Sequence, residues 1–282
     1  MSRPVTDRSV VRSLLAEAGV RPSKKLGQSF LVDAGVLNDI ERVLAQGSAE
    51  TVVEIGPGLG AVTEVLLRCA RSVIAVEIDR RLAASLEERL GGGDRLELLR
   101  EDILKLDLTE RLVGERAFVV GSLPYRITAP ILKWLIGHRD VLSGALLITQ
   151  REVAEKVAAS PGKEGSALGI LVQAYADVEL VRRVGKGCFS PVPEVDSTLW
   201  RLAFREHPQF ESDPESFFAV VRALYGTRRK MVRGALRALL PSISVASVLE
   251  ESGIDGTVRG EELGFDQLDR LAEAVARRPD GA

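Results

Sequence analysis

The sequence predicts an α/β fold, with a parallel sheet covered by helices on both faces and a small all-helical C-terminal domain. From residue 51 to about residue 203, short apolar runs alternate with amphipathic stretches, which is typical of a parallel sheet. The first of these runs, residues 52–55, ends in three glycines at alternate positions, Gly56, Gly58 and Gly60. Beyond Phe204 no strand-like run follows, and the apolar residues have helical spacing.

The spacing of apolar residues predicts the position of each element. Two N-terminal helices are expected over residues 6–18 and 36–45. The expected strands span residues 51–55, 72–77, 96–100, 117–122, 144–149, 178–184 and 197–203. The expected helices between them span residues 61–70, 80–90, 130–137, 151–159 and 168–175, and the last helix of the chain spans 267–277. Because the loop between the last two strands is too short for a crossover helix, those strands are expected to form an antiparallel hairpin at one edge.

The domain boundaries follow from composition. Residues 206–214 are polar and contain two prolines, as expected of a linker. Three regions are therefore predicted: an N-terminal helical segment with a loop (1–50), an α/β domain (51–206) and a helical C-terminal domain (207–282).

Composition limits the classes of function. With 282 residues and 45% hydrophobic content, the chain has room for one sizeable core and a second small domain. The formal charge of −2 gives no global sign of nucleic-acid binding, so RNA contacts would have to come from local patches. Two distant cysteines and two histidines predict no metal site and a reducing compartment. No apolar stretch has the length of a membrane span. We therefore expect a soluble, cytoplasmic protein.

The glycine turn predicts a binding site for a nucleoside-like ligand. An apolar run that breaks into such a turn is how a buried parallel strand leads into a helix above a nucleotide. Glu77 lies 21 residues after Gly56 (77 − 56), at the end of the next strand, where a carboxylate can bind both hydroxyls of a ribose. The glycine spacing differs from the dinucleotide pattern, and Pro57 removes an N–H that a pyrophosphate would use. A ligand with a ribose but no phosphate fits better, and S-adenosylmethionine is the common one.

Asp102 follows the third strand and is a candidate for adenine recognition. Its carboxylate can accept a hydrogen bond from an adenine amino group while Ile103 packs on the ring. An acidic residue after a strand is, taken alone, more often a helix N-cap or a solvated charge. The glycine turn and Glu77 favour the ligand interpretation.

The segment Gly121-Ser122-Leu123-Pro124-Tyr125 ends the fourth strand and is typical of enzymes that methylate exocyclic amines of bases. The N6 lone pair of adenine is delocalised into the ring, so two acceptors are needed to draw the nitrogen toward a tetrahedral geometry. Ser122 and the carbonyl of Leu123 can accept these two N–H bonds, and Pro124 fixes the turn. Tyr125 offers a face for an unstacked base. The alternative is an ordinary turn with a core tyrosine.

Together these motifs make the sequence resemble the ribosomal RNA adenine N6,N6-dimethyltransferase family. The matching stretches are residues 25–31, 54–60, 75–79, 122–125, 150–154, 189–197 and 228–231, with a weaker match at 259–263. The resemblance implies a Rossmann-like class I methyltransferase sheet with a helical C-terminal RNA-binding domain. It also implies S-adenosylmethionine-dependent dimethylation of two adjacent adenosines near the 3′ end of small-subunit (16S) rRNA, during ribosome biogenesis.

The resemblance assigns site residues position by position. The methyl donor is expected to contact Gln28, Ser29, Leu31, Glu54, Gly56, Gly58, Glu77, Ile78, Asp102, Ile103 and Ser122. The target adenine is expected between Tyr125 and Phe189, although Phe189 could instead fill the edge of the sheet. The chain has Ser122 where the family usually has asparagine, and Ser29 where it has asparagine or histidine. The shorter reach of Ser122 puts the efficiency of the second methylation in question, while the reaction class is unaffected.

A basic stripe predicts the RNA contact. Residues 222–237 contain six basic and no acidic residues, which favours phosphate binding over a merely solvated face. The expected RNA-binding residues are Lys24, Lys25, Arg222, Arg228, Arg229, Lys230, Arg233 and Arg237. The apolar side of the same helical stretch is expected to contain Phe217, Val220, Leu224, Met231, Ala235 and Leu239, with a break at Gly226 and Thr227.

Two rival functions remain open from the sequence. One is the related methyltransferase group that modifies an adenosine of large-subunit rRNA and confers macrolide resistance, because it shares the donor motifs. The other is a non-catalytic ribosome-assembly factor that kept the fold, which Ser122 leaves possible. The basic segment 228–230 and the Phe-x-Pro-x-Pro loop favour the small-subunit family, whose substrate would be rRNA within an assembling 30S particle.

Overall fold

The computed structural model describes residues 5–23, 27–47, 50–91, 93–124, 126–162, 165–227, 230–240 and 245–278, and the statements below concern these residues. The chain divides into two compact units, one of residues 1–154 with 179–204 and one of residues 155–178 with 205–282. In the described part of the chain, no helix is both long and apolar enough to cross a membrane.

The first unit is built on a mixed sheet. The strands of the chain are β1 (Phe30–Leu31), β2 (Thr51–Ile55), β3 (Ser72–Val76), β4 (Leu96–Leu99), β5 (Ala117–Ser122), β6 (Leu142–Gln150), β7 (Ala176–Val184), β8 (Phe189–Ser190) and β9 (Ser197–Phe204). Seven of them form one sheet in the order β4-β3-β2-β5-β6-β9-β7. Strands β2 to β6 pair in parallel with one another, and β9 is antiparallel to β6. The α/β fold expected from the sequence is therefore confirmed.

The central strands are buried because apolar residues occupy almost every position. All five residues of β2 are buried, and so are the first five of β5, as in a parallel sheet covered on both faces. Strands β9 and β7 are neighbours at one edge, as expected of the last two strands of the sheet, with β9 inserted beside β6. The antiparallel pair of β1 and β8 was not expected from the sequence.

The described helices lie before, between and after the strands, and several of them begin at a side-chain cap. They are α1 (Arg8–Glu17), α2 (Ala34–Ala45), α3 (Ala61–Cys69), α4 (Arg80–Leu90), α5 (Thr128–Gly137), α6 (Arg151–Ala158), α7 (Ala167–Tyr175), α8 (Pro214–Gly226), α9 (Val232–Leu239), α10 (Val245–Ser252) and α11 (Phe265–Ala276). Asp33, Asp79 and Asp213 cap α2, α4 and α8 by accepting a hydrogen bond from a first-turn amide.

The second unit has an aromatic core. Phe210 stacks on Phe217 with ring centroids 4.3 Å apart, and Phe218 meets Phe217 edge to face at 5.1 Å. The ring centroid of Tyr175, at the end of α7, lies 5.7 Å from that of Phe210. Because of such contacts the segment 155–178 groups with the C-terminal helices, whereas the boundary drawn from composition placed it in the α/β domain.

Candidate active site

A cavity of about 580 Å³ lies at the carboxyl ends of the parallel strands in the first unit. Its wall includes the loop before β1, the glycine turn after β2 and the residues that follow β3, β4 and β5. The loop of residues 191–195 closes another side. This is the edge at which open α/β sheets bind ligands, and the volume suits a ligand of nucleoside size.

The glycine turn lets a ligand approach the backbone. Gly56, Gly58 and Gly60 have φ values of 69°, 55° and 83°, a left-handed region that other residues adopt at a cost. A Cβ on Gly58 would lie 3.0 Å from the ring of Phe30, and a Cβ on Gly60 would lie 2.5 Å from Leu86. Only glycine therefore fits these last two positions without displacement of packed side chains.

Glu77 is held with its carboxylate in the cavity wall. It is 6% exposed and accepts hydrogen bonds from the amides of Gly58 at 3.1 Å and Asp79 at 2.9 Å. Burial raises the pKa of Glu77, and the two amide hydrogen bonds oppose that rise. The carboxylate is thus oriented before any ligand binds, and its remaining lone pairs can accept from ribose hydroxyls.

Glu54 is the second buried carboxylate of the cavity. It is 2% exposed, and the hydroxyl of Thr63 donates to it at 2.7 Å. Burial raises the pKa of Glu54 to about 8; the Thr63 hydrogen bond opposes this rise, and the nearby charge of Glu77 adds to it.

Asp102 both caps a helical turn and lines the cavity, so it combines the two alternatives considered from the sequence. Asp102 accepts from the amide of Leu104 at 3.1 Å and so caps the short helical turn 103–105. It also lines the cavity together with Ile103 and Ile78. Ile78 is 56% exposed, which is unusual for isoleucine and leaves an apolar surface on which an adenine ring can pack.

The loop before β1 connects two walls of the cavity. The side-chain amide of Gln28 donates to Asp79 at 3.1 Å, and the hydroxyl of Ser29 donates to the carbonyl of Pro191 at 2.5 Å. Partial burial would raise the pKa of Asp79, but the hydrogen bonds that it accepts from Gln28 and from the amides of Arg81 and Leu82 outweigh burial and lower it. Leu31 also lines the cavity but is 5% exposed and packs in the core.

Ser122, Leu123 and Pro124 lie together in the cavity wall at the end of β5. Ser122 is paired in register with Ile148 of β6, and the amide of Leu123 donates to the carbonyl of Ile148 at 2.9 Å. This pairing fixes the backbone from which the Ser122 hydroxyl and Leu123 carbonyl extend. Tyr125 lies outside the described residues.

Phe189 is placed differently from the expectation. It is 3% exposed, packs in the core cluster with Leu31 and Leu199, and is not part of the cavity wall. Pairing of β8 with β1 puts Phe189 opposite Leu31 and directs the ring inward. In this arrangement the ring fills the core, the alternative considered from the sequence, and the neighbouring segment Pro191–Val195 lines the cavity instead.

The cavity-wall residues missed from the sequence include those of that loop. Val192 and Val195 are 55% and 44% exposed, and both line the cavity. The Pro-Val-Pro-Glu-Val run that contains them was a signal of a stiff loop, but a loop has no periodicity that would show which side it presents.

The described residues of the basic stripe lie on two helices of the second unit and in the segment between them. Helix α8 ends at Gly226 and α9 begins at Val232, which confirms the expected break. Arg222, Lys230, Arg233 and Arg237 are exposed, while Lys24, Lys25, Arg228 and Arg229 lie outside the described residues. Met231 was expected on the apolar side but is 55% exposed, because it precedes α9 and so does not follow the helical spacing.

Comparison with known proteins gives consistent results. A family described as ribosomal RNA adenine dimethylase matches residues 20–277. The chain is 41% identical over 276 residues to ribosomal RNA small subunit methyltransferase A of Moorella thermoacetica, covering 93% of this chain and 96% of that protein. It is 37% identical over 287 residues to the protein of the same name from Geobacillus thermodenitrificans, covering 98% of each.

Two solved structures are similar over most of the chain. A dimethyladenosine transferase from Plasmodium falciparum matches with a TM-score of 0.72 and 25% identity, covering 86% of this chain and 95% of that one. The 23S rRNA methyltransferase ErmE matches with a TM-score of 0.68 and 30% identity, covering 88% of this chain and 99% of that one.

Proposed function

We propose that this chain, which belongs to the ribosomal RNA adenine dimethylase family, is an S-adenosylmethionine-dependent methyltransferase that dimethylates N6 of two adjacent adenosines near the 3′ end of small-subunit rRNA. The observation that supports this most directly is the cavity itself. It has a preoriented ribose acceptor, Glu77, and the Ser122-Leu123-Pro124 segment in the same wall.

The residues present fit the methyl donor. Gly56 and Gly58 leave the turn free of side chains, Glu77 suits the ribose hydroxyls, and Asp102 with Ile78 suits the adenine. When bound, S-adenosylmethionine supplies an electrophilic methyl group. The chain therefore needs no nucleophile, and its task is to position the two reactants and exclude competing geometries.

The acceptors at the end of β5 would hold the target amine. The Ser122 hydroxyl and the Leu123 carbonyl each accept one N6 hydrogen, which exposes the nitrogen lone pair. The pairing of this segment with Ile148 keeps the two acceptors at a fixed separation, so that little reorganisation is needed in the transition state. Loss of the proton can follow methyl transfer, and no dedicated base is assigned.

The exposed basic residues of the second unit would bind RNA phosphates, and the substrate would be rRNA in an assembling 30S particle in the cytoplasm. Arg222, Lys230 and Arg237 support this, since none of them forms an ion pair with a residue that the structure describes. Lys24, Lys25, Arg228 and Arg229 are assigned to the same surface from the sequence alone.

The test is transfer of radiolabelled methyl groups to small subunits that lack the modification, followed by mapping of the labelled nucleotides. We expect dimethyladenosine at two adjacent positions near the 3′ end. The similarity to a 23S rRNA methyltransferase keeps one alternative relevant, and label in large-subunit rRNA would support it. Donor binding without transfer to either particle would instead indicate a non-catalytic assembly factor.

A further inference from the structure

The cavity is lined by acidic side chains. The ionisable residues in its described wall are Glu54, Glu77, Glu101, Asp102, Glu194 and Arg126. Arg126, Glu101 and Glu194 are exposed at the rim, whereas Glu54 and Glu77 are buried. Among the described residues, the interior of the cavity therefore has acidic groups and no basic one to balance them.

The two buried carboxylates differ in what their oxygens contact. Both oxygens of Glu77 accept hydrogen bonds from backbone amides. Glu54 accepts one hydrogen bond, from the Thr63 hydroxyl, and forms no ion pair with any residue described. A buried carboxylate with so little compensation favours either a proton or a cation beside it.

The proposed reaction changes the charge of the ligand in this cavity. S-adenosylmethionine has a sulfonium, an ammonium and a carboxylate, and hence a net positive charge. Methyl transfer forms an N–C bond and breaks the S–C bond, whose electron pair stays on sulfur, and N6 releases a proton to solvent. S-adenosylhomocysteine is left with a neutral thioether and no net charge.

We propose that Glu54 makes the cavity discriminate by charge, so that the cationic donor binds more tightly than the neutral product. This inference rests on the proposed function, because it requires S-adenosylmethionine to be the ligand. Its consequence is that loss of the sulfonium charge weakens binding and promotes product release.

The same carboxylate links donor binding to pH. Since burial raises the pKa of Glu54 to about 8, the ligand-free protein holds a proton there near neutral pH. A bound cation favours the carboxylate, so donor binding should release a proton and tighten as pH rises to that value. The other ionisable groups that face this region are Glu77 and Asp79 after β3, Glu101 and Asp102 after β4, Arg126 after β5 and Glu194 in the loop 191–195.

Calorimetric titration with three ligands tests the proposal. S-adenosylmethionine and sinefungin, an analogue with an ammonium-bearing carbon in place of the sulfonium, are cationic, whereas S-adenosylhomocysteine is not. At pH 8.5, Glu54→Gln is expected to lower the affinity for both cationic ligands by roughly tenfold or more and to leave the affinity for the neutral product nearly unchanged. The matched control is Glu115→Gln, because Glu115 accepts from the Thr51 hydroxyl at the opposite end of β2, and it should change none of the three affinities.

Wild-type protein provides a second measurement that needs no variant. Titrations at neutral pH in two buffers of different ionisation enthalpy should show proton release with the cationic ligands and none with the product. Equal proton release for all three ligands, or equal loss of affinity for all three in Glu54→Gln, would overturn the charge-discrimination role alone. Failure of all three to bind wild type would contradict the proposed function itself.

Discussion

Glu77 shows how a single carboxylate is prepared for a ligand. The amides of Gly58 and Asp79 fix its two oxygens, so the ribose of the donor would meet an acceptor that is already oriented. We predict that Glu77→Ala weakens S-adenosylmethionine binding by about 1.5–3 kcal/mol for each charge-assisted hydrogen bond lost. Isothermal titration measures this, with Glu97→Ala on the neighbouring strand as the control. Unchanged affinity in a folded Glu77→Ala protein would refute the ribose assignment.

Ser122 provides the test of N6 activation. If its hydroxyl holds one N6 hydrogen, Ser122→Ala should slow methyl transfer by roughly 10-fold to 100-fold and leave donor binding nearly intact. Ser122→Asn should retain activity and increase the share of dimethyladenosine, because the longer side chain can follow N6 when only one hydrogen remains.

Single-turnover assays that separate mono- from dimethyladenosine decide this prediction. The control is Ser143→Ala, because Ser143 bonds the carbonyl of Ala117 and does not line the cavity. A Ser122→Ala protein as fast as wild type in both steps would show that Ser122 only completes the turn.

The raised pKa of Glu54 also predicts how the stability of the fold depends on pH. Its pKa rises from 4.5 to about 8 on folding, so the folded chain binds this proton more tightly than the unfolded chain. The contribution of Glu54 to the free energy of unfolding should therefore be greatest below pH 4.5. It should fall as the pH rises from 4.5 to about 8 and stay reduced at higher pH. Denaturant unfolding between about pH 5 and pH 9 should show a smaller loss of stability in Glu54→Gln than in wild type. Parallel pH profiles for the two proteins would contradict the buried protonated state.

The sequence allowed the strand-end residues to be predicted, because parallel strands bring their carboxyl ends to one edge. Gly56, Glu77, Asp102 and Ser122 are in the cavity wall for that reason. For Phe189 the sequence left two alternatives open, stacking on the base or burial at the edge of the sheet, and the ring is buried. That outcome depends on the pairing of β1 with β8, two strands of two residues each, which are too short for an alternating pattern.

At the scale of elements, the turn between β2 and α3 combines backbone strain and close packing. Gly60 has a φ of 83°, and a Cβ there would meet buried Leu86 at 2.5 Å. Gly114 has a similar φ of 78° with nothing within 4 Å. Gly114→Ala should therefore lower the free energy of unfolding by about 1–2 kcal/mol, because alanine is strained in the left-handed conformation. Gly60→Ala should lower it by a further ~1–3 kcal/mol because of overpacking.

Thermal and denaturant unfolding of the two variants measure the difference, and donor titration supplies a second readout. Gly60→Ala should also weaken donor binding, because the turn lines the cavity. Equal destabilisation by the two substitutions would mean that Leu86 of α4 can move aside with no loss of stability, and that packing does not hold the turn.

At the scale of the whole molecule, the division into two units depends on contacts between distant segments. The segment 155–178 lies between strands in the sequence, yet Tyr175 packs with Phe210 and Phe218. The local sequence pattern predicted the change from strands to helices after Phe204, but it contains no sign of that aromatic cluster. Domain boundaries of this kind depend on tertiary contacts, and a single sequence shows only local pattern.

The division of the chain into two units provides the last prediction, on RNA binding. The described wall of the donor cavity consists only of first-unit residues, whereas Arg222 on α8 and Arg237 on α9 are exposed in the second unit. Neutralising both as Arg222→Gln with Arg237→Gln should weaken binding to small subunits and leave donor affinity unchanged. If each arginine contacts one phosphate, the slope of log affinity against log salt concentration should fall by about 1.4–1.8 in magnitude.

The matched control removes the same charge from the same unit. Arg277 and Arg278 contact Glu251 at 2.8 and 2.6 Å, and Arg277 also contacts Glu273 at 3.4 Å. Because two carboxylates compensate the two arginines, Arg277→Gln with Arg278→Gln should leave the salt slope nearly unchanged. Because the two double variants have the same net charge, a difference between them measures local phosphate contacts and not long-range attraction. Equal losses in the two variants, or normal methylation by Arg222→Gln with Arg237→Gln at physiological salt, would show that these arginines form only a solvated face.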